Sequence, residues 1–485
     1  MLGASFLEVC LNLKMAKITG ITMTHIHITK GLDIPIKGKP TGDIRPLIAA
    51  GEASVVQSPE LISLNLKPFE EIKLKLLTKV GENVKIGQPL AEDKEAPGRM
   101  FVSPAGGVVK EIRRGLKRRL LDIVIEVAKT EEYEPLSAFN LHSSSREELV
   151  ERLKAGGVFA SIRSRPFNFL ADPSKPPRSI FVRAVESAPF VPSAELQIAG
   201  YEKEFQLGLD ALAKLTPGKV HLVYSQNSLL SAFTQAQHVE KHTVEGPHPV
   251  ANPSLHIQKI DPIRSVEDVV WTISAQDTAA LGYFLSQGKI LLERVISIAG
   301  PGVLENQLGY YKVRAGYPIS RLIAGKIRKG YNRYISGDPL MGTKVDGEDF
   351  LGFSHHVLCV VPENAGREFL HFFRLGADKY SFSKAYASGH FNNEDREYNF
   401  TTNQHGEHRA FIDSSLYNKV MPLAVPTMEL VKAVLAEDYD LAELLGLLEV
   451  DSEDFALPTF VCPSKMEMTE IIKNGIKRYA SELSS

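Results

Sequence analysis

The stretch Val80–Val109, VGENVKIGQPLAEDKEAPGRMFVSPAGGVV, sets the terms for the rest of the chain. It opens at the end of a short strand, Val80-Gly81, then passes a polar turn, Val84 and a second turn at Gly87. Leu90 and Ala91 start another strand, and Met100–Val102 runs into Ser103-Pro104-Ala105-Gly106-Gly107. Short apolar runs broken this often by Gly, Pro and Asn predict strands joined by tight turns. Glycine adopts positive φ without strain, and proline presets a turn.

The pattern resembles the biotinyl/lipoyl carrier family, a flattened barrel of short strands. Val80, Gly81, Val84, Gly87 and Leu90 match the first half of that family's recurring text; Ser103-Pro104, Gly107 and Val108 match the second. In carrier domains a lysine at the hairpin tip between the halves holds the prosthetic group. Here the tip position falls on Pro97, within Ala96-Pro97-Gly98, and the nearest lysine, Lys94, comes three residues early. A carrier-type barrel over 25–130, without the carrier lysine, is therefore expected. A lipoyl or biotinyl adduct on Lys94 is the competing reading.

Residues 1–24 read as an extension with no basic n-region of a signal peptide, and Met1, Met15 and Met23 are all candidate starts. His25-Ile26-His27-Ile28 alternates like a strand, which places His25 and His27 on one face. They are a metal pair or ordinary polar strand-face residues, the second being expected. Near the end of the barrel, Lys110, Arg113, Arg114, Lys117, Arg118 and Arg119 surround a turn at Gly115, before the strand Leu121–Val127. A solvated hairpin tip is expected, with a patch for acidic lipid or an acidic partner as the alternative.

From 134 to 300 the texture alternates. Arg146–Leu153, Ala194–Leu215 and about Gln276 to Leu285 have helical spacing; Ser179–Ala184, Lys219–Tyr224, Val269–Ile273 and Ile290–Ile298 read as buried strands. This predicts an α/β Rossmann-like layer, whose ligands would bind beyond the carboxyl ends of its strands. No G-x-G-x-x-G follows a strand and no Walker loop is present. Gly300-Pro301-Gly302 enters no evident helix. His248, in Gly246-Pro247-His248-Pro249, could carry a proton, although loop histidines are ordinarily solvated. His238 and His242, four apart, could share a helix face as a metal pair, but no third ligand follows at a sensible spacing. Residues 301–352, with Tyr310–Ile323 and the return strand Arg333–Leu340, resemble the soluble-ligand-binding β-grasp (SLBB) module.

Residues 353–485 are predicted to be mainly helical. Leu430, Val431, Val434 and Leu435 make one apolar stripe; Leu441, Leu444, Leu445 and Leu448 another; Met468, Ile471, Ile472 and Ile476 a third. Aromatic residues crowd between His371 and Phe400. Phe372, Phe373, Tyr380, Phe382, Tyr386, His390 and Phe391 are a candidate partner interface, because aromatic side chains concentrate at interfaces. Packing between the β-grasp and helical parts is the other reading.

Composition bounds the function. A chain of 485 residues with 44% hydrophobic and 24% charged residues is an ordinary globular protein of several domains. A net charge of −2 offers no electrostatic support for a nucleic-acid partner. No segment approaches the length of apolar sequence that a membrane-spanning helix needs. Cys10, Cys359 and Cys462 are too few and too scattered for a disulfide framework or an iron–sulfur cluster, which fits a reducing compartment. The fold class is thus α+β multidomain: barrel, α/β layer, β-grasp module and helical region.

This order is similar to that of the NADH-binding flavoprotein subunit family of respiratory complex I. There a glycine-rich loop cradles FMN and NADH phosphates with bare backbone. The corresponding stretch, Ser161–Asn168, contains no glycine, and Arg163, Arg165 and Phe167 stand in it. More specific strings resemble the NqrA family, one of the subunit families of the bacterial sodium-translocating NADH:quinone oxidoreductases: Lys30–Pro35, Arg165-Pro166-Phe167, Phe181-Val182, Gly246–Pro249, Val270-Trp271, Phe400–Thr402, Arg409–Phe411 and Leu416–Pro422. Val250–Leu255 departs from that family's Gly-rich loop.

The resemblance implies a subunit of a pump that oxidises NADH, reduces ubiquinone to ubiquinol and moves Na⁺ out of the cell. It implies ubiquinone as substrate, no covalently bound cofactor, and flavins, NADH and an iron–sulfur centre on other subunits. The implied partners are subunits B, C, D, E and F, the first of them a membrane protein on which this chain docks. The implied location is peripheral, on the cytoplasmic face of the bacterial inner membrane, at the end where ubisemiquinone becomes ubiquinol. No catalytic or metal residue is assigned. An FMN- and NADH-binding subunit of complex I type is the alternative.

Overall fold

The Val80–Val109 stretch folds as strands and tight turns within a seven-stranded sandwich of two antiparallel sheets. One sheet runs β3 (Leu61–Asn65), β9 (Leu120–Val127), β8 (Gly107–Arg114) and β5 (Asn83–Val84); the other runs β4 (Leu74–Leu76), β6 (Pro89–Asp93) and β7 (Met100–Val102). Gly107 is required where β8 meets β9: a Cβ there would lie 1.9 Å from the carbonyl oxygen of Glu126. Val80-Gly81 is a turn rather than a strand end. The Glu82 carboxylate accepts from Thr78 Oγ1 (3.1 Å) and Lys79 N (3.1 Å), and Gly81 has φ +87°. The computed structural model describes residues 23–47, 59–137, 139–364, 366, 373–391, 393 and 395–483. Residues 1–22 of the expected extension, with Met1, Cys10 and Met15, and Phe372 of the aromatic set, lie outside these.

The carrier hairpin tip is docked. Asp93 and Arg99 form a buried pair below it, and Arg99 Nη1 donates to Ala171 O (2.5 Å) in the neighbouring layer. A Cβ on Gly98 would sit 3.3 Å from the Lys154 side chain. A swinging prosthetic arm needs a free tip, and this one is held. In the basic hairpin, Lys110, Arg113 and Arg119 face Glu126, Glu111 and Glu70 at 3.6, 3.0 and 2.6 Å.

A seven-stranded sheet runs β1 (His25–His27), β14 (Glu240–Glu245), β13 (Lys219–Ser225), β12 (Ser179–Ala184), β15 (Val270–Ser274), β10 (Arg163–Arg165) and β11 (Phe169–Leu170). The first five are parallel; β10 runs antiparallel to β15, and β11 antiparallel to β10. Alternate residues of β12 feed two cores, because side chains of a strand alternate in direction. Ile180, Val182 and Ala184 pack with Phe205, Leu209 and Phe284 of helices Glu202–Leu215 and Ala275–Gln287. Phe181 packs on the opposite face with Val223, Val244 and Leu255, a core that continues into the C-terminal Leu430, Val431 and Phe455.

A six-stranded sheet runs β19 (Thr343–Val345), β18 (Asn332–Ser336), β20 (Val357–Pro362), β16 (Glu293–Ala299), β17 (Gly309–Arg314) and β2 (Ile44–Pro46).

Several sequence expectations change. The strand at His25–His27 is the edge of the parallel sheet, not part of the barrel, and Ile44–Pro46 pairs with β17. The strand expected over Ile290–Ile298 leaves the α/β layer for the six-stranded sheet. That sheet also takes β20 from the region expected to be helical. Local periodicity identifies a strand but not its partner, so the differences lie in pairing rather than in pattern. The helix over Ala194–Leu215 is two, Ala194–Gln197 and Glu202–Leu215, broken at Gly200 with φ +85°. Strand β14 and helix Pro253–Ile260 have no counterpart in the sequence expectations.

The C-terminal region holds helices Thr427–Leu435, Tyr439–Leu444, Ala456–Val461 and Met468–Leu483, and the described residues between 373 and 416 are largely irregular. Among the described residues no helix is long and apolar enough to cross a membrane.

Candidate functional site

The stretch Ser161–Asn168 does not form a phosphate loop. Its β10 segment is paired on both sides, with Arg163, Ser164 and Arg165 opposite Thr272, Trp271 and Val270 on one edge and β11 on the other. Backbone amides committed to a sheet cannot cradle phosphate. The arginines are engaged as well: Arg163 Nη1 donates to Glu71 (3.0 Å), and the buried Arg165 donates to Ser254 Oγ (2.9 Å).

Where this hairpin turns, all four parts of the chain meet around a cleft of about 460 Å³. The barrel supplies Lys67, Glu70 and Glu71; the hairpin supplies Arg163, Phe167, Asn168 and Phe169. The six-stranded sheet and its loops add Ser336, Val345, Phe350 and His355, and the C-terminal region adds Asp451, Lys473, Ile476 and Lys477. The charges are mutually satisfied. Burial raises the Glu70 carboxyl, but Lys477 and Lys473 outweigh it and bring it down to about 2. Asn168 donates to Asp451, and Phe167 rests against Phe169 and Tyr479 at ring separations of 6.0 and 6.2 Å. The result is an aromatic floor with a rim of paired charges, a shape that accepts a flat ring with polar edges.

Behind the cleft, sharing Ser354 and His355 with it, lies a second cavity of about 250 Å³. It sits beyond the carboxyl end of β12, where chain order reverses between β12 and β15 and where α/β sheets place ligands. Arg183, Glu186, His248, Asp338, His355, His356 and Glu453 line it. Arg183 Nη2 lies 3.3 Å from Glu186, and Asp338 accepts from Leu340 N (2.9 Å) and Met341 N (3.1 Å). Burial pushes Glu186 and Asp338 upward, and burial together with Asp451 pushes Glu453 up to about 8. Burial holds His248 and His355 down to about 4, so both imidazoles are neutral near pH 7. Three carboxyl groups and one guanidinium make this a poor phosphate site and a group able to exchange protons.

His248 is thus neither solvated nor idle: it is buried, and its Nδ1 lies 3.0 Å from Ser187 Oγ. The expected His238–His242 helix pair does not form. His238 sits in a loop against Asp210 (2.9 Å), while His242 lies on β14 with its Nε2 3.0 Å from His221 Nδ1. Thr24 N donates to His242 Nδ1 (3.2 Å), which places the His242 proton on Nε2, facing His221. Both nitrogens of His242 are therefore occupied by hydrogen bonds.

The described members of the aromatic set divide, and none of them lines either cavity. Tyr380 packs against Tyr398, Phe400 and Phe460 at 5.5–6.0 Å, and Phe382 packs against the C-terminal core. Tyr386 meets His405 edge-on at 6.0 Å and Lys379 at 5.4 Å. His390 is exposed, with Nε2 3.0 Å from Lys384 O. Phe373 and Phe391 project into solvent, 83% and 62% exposed. Sequence reading offers His248 as a proton carrier and names Arg163 and Phe167 only as side chains in place of a phosphate loop; it misses Glu186, Asp338, His355 and Glu453. The rule about strand ends points to the loop after Ala184, where Glu186 lies.

Three family models match in succession. They are the NqrA N-terminal barrel-sandwich hybrid domain at 26–128, the NqrA second alpha/beta domain at 144–290 and the NQRA C-terminal domain at 295–347. The corresponding subunit of the Na(+)-translocating NADH-quinone reductase of Chlamydia pneumoniae is 37% identical over 468 residues, 94% of this chain and 98% of the relative. That of Chlamydia caviae is 37% identical over 94% of this chain and 97% of its own. That of Saccharophagus degradans is 34% identical over 94% and 100%. A solved NAD+-reducing [NiFe]-hydrogenase chain is 12% identical over 70% of this chain and 62% of its own, with a TM-score of 0.35, a likeness too loose to bear on function.

Proposed function

The chain belongs to the NqrA family of Na(+)-translocating NADH-quinone reductase subunits, and from that premise we propose that it serves the quinone-reducing end of such a complex. The match along nearly the whole length of chain and relatives carries the reading. In it the chain is a peripheral subunit on the cytoplasmic side. It assembles with subunits B, C, D, E and F and docks on the first of these, a membrane protein. Flavins, NADH and the iron–sulfur centre belong to those partners, and the complex exports Na⁺ as ubiquinone becomes ubiquinol. The seven-stranded sheet with its helices is read as the Rossmann-like layer, and the six-stranded sheet around β17 and β18 as the β-grasp module.

Within this role the junction cleft is the place for a quinone ring. Phe167, Phe169 and Phe350 offer its faces apolar contact, and the paired charges at the rim offer polar partners to its oxygens. Reduction of a quinone to a quinol consumes two protons, and the neighbouring cavity holds three carboxyl groups that burial pushes upward, Glu453 to about 8. The nucleotide-binding alternative is disfavoured by the paired amides of β10 and by the acidic lining at the strand switch.

An azidoquinone photolabel applied to the assembled complex tests this. Peptides containing Phe167–Phe169 or Phe350 are expected to carry the label, and excess ubiquinone to suppress it. Labelling confined to other subunits would overturn the assignment of the cleft. Stoichiometric yellow flavin on the purified chain would restore the alternative.

A further inference from the structure

We propose that His25, His27 and Glu245 form a binding site for one divalent transition-metal ion of the zinc class. The site is made by sheet register. His25 and His27 stand two apart on edge strand β1, so their side chains share one face while Ile26 turns into the core. Parallel pairing sets His25 opposite Thr243 and His27 opposite Glu245, giving a two-by-two patch on neighbouring rigid strands. His27 Nδ1 lies 3.6 Å and His25 Nε2 4.0 Å from Glu245 Oε2, and one donor atom from each of the three falls within 4.8 Å of the others. Donors on a tetrahedral zinc ion stand roughly 3.3 Å apart, given metal–ligand distances of about 2.0–2.1 Å, so small rotamer changes close the set.

The protonation pattern also fits. His25 Nδ1 lies 3.0 Å from Thr243 Oγ1. With that hydroxyl accepting, the proton resides on Nδ1 and the Nε2 lone pair faces Glu245. A second partner of this kind is what fixes tautomer and ring orientation in protein metal sites. The buried trio His221, Glu240 and His242 lacks this arrangement. Thr24 N already occupies His242 Nδ1, and the proton on Nε2 blocks the lone pair a metal would need. Two imidazoles and one carboxylate select borderline ions such as Zn²⁺, Ni²⁺ or Cu²⁺ over Mg²⁺ or Ca²⁺. All three residues are exposed, which leaves the remaining coordination positions to water. An ion bound there would clip edge strand β1 to β14.

Isothermal titration of the metal-stripped full chain with Zn²⁺, and the visible spectrum of the chain with Co²⁺, test the site. One ion per chain is expected, with Co²⁺ giving the intense bands of a low-symmetry site. His25→Ala/His27→Ala should abolish this binding, and Thr243→Val should weaken it by about 10-fold through the lost orienting bond. His142→Ala, which removes an exposed imidazole elsewhere, should leave it unchanged. Zn²⁺ should also raise the melting temperature of the wild type and not of the double variant, a readout independent of pump activity. Absence of stoichiometric Zn²⁺ binding, or binding undiminished in the double variant, would overturn the proposal.

Discussion

Glu453 shows what a cavity does to one side chain. Its carboxyl is raised from the ordinary value of 4.5 to about 8 by burial first, then by Asp451 and Asp454, with Arg183 and Arg165 opposing. Glu186, Asp338, His248 and His355 complete its surroundings. The unfolded chain ionises this group near 4.5, so below that pH the burial costs nothing. As pH rises from 4.5 through 8 the folded protein retains a proton the unfolded chain has released, and stability falls. Glu453→Gln removes that penalty. Its melting temperature is expected to match wild type near pH 5 and to exceed it clearly near pH 9, the difference growing as pH rises between the two. Equal melting curves at pH 9 would show that Glu453 ionises freely. None of this is legible in Asp451-Ser-Glu-Asp454. Asp451 and Asp454 do form a capping box there, and Glu453 is aimed elsewhere by the same turn.

Elements are legible in the sequence wherever apolar spacing is long, and poorly so where two lengths of chain approach closely. Apolar spacing marks helices Glu202–Leu215 and Ala275–Gln287 but says nothing of their crossing. Gly208 and Gly282 lie at the contact: a Cβ on Gly208 would sit 2.1 Å from Thr278 O, and one on Gly282 1.8 Å from Glu204 O. Backbone on backbone leaves nothing flexible to yield. Gly282→Ala must push the helices apart over Phe205 and Phe284, and is expected to destabilise by roughly 1–3 kcal/mol. Gly200→Ala meets nothing within 4 Å but takes an alanine to φ +85°, costing about 1–2 kcal/mol by strain alone. Urea unfolding of both variants separates the mechanisms, since only the crossing variant should also shift the near-ultraviolet signal of the adjacent Phe159–Trp271 pair. Equal, silent behaviour would mean that the helix contact can relax.

At the scale of the molecule, the dispersed strings that carry the family resemblance are contacts of one another. Leu32 N donates to His248 O (2.8 Å) and His248 N to Asp33 Oδ1 (2.9 Å), joining Lys30–Pro35 to Gly246–Pro249, while Gly31 N reaches Lys419 O (3.1 Å) in Leu416–Pro422. Such text is recognisable because close approach restricts it: a Cβ on Gly31 would meet His248 O at 2.2 Å. Density of aromatic residues carries no comparable constraint, so the described members of the set, Phe373 to Phe391, mix two roles. Tyr380 and Phe382 face inward. Phe373 and Phe391 stay in water with Leu375, also 79% exposed. The proposed docking on the membrane protein of the complex would cover these side chains. Phe373→Ser/Phe391→Ser should leave the melting temperature of the isolated chain within about 1 °C, because surface changes are worth no more than roughly 0.5 kcal/mol. The same variant should reduce recovery of the chain with washed membranes carrying the other subunits. Tyr380→Ser should do the reverse, lowering the melting temperature because it removes a packed ring from the Tyr398–Phe400–Phe460 cluster. If the exposed pair proves silent in assembly while the chain still reaches the membrane, docking belongs to another face.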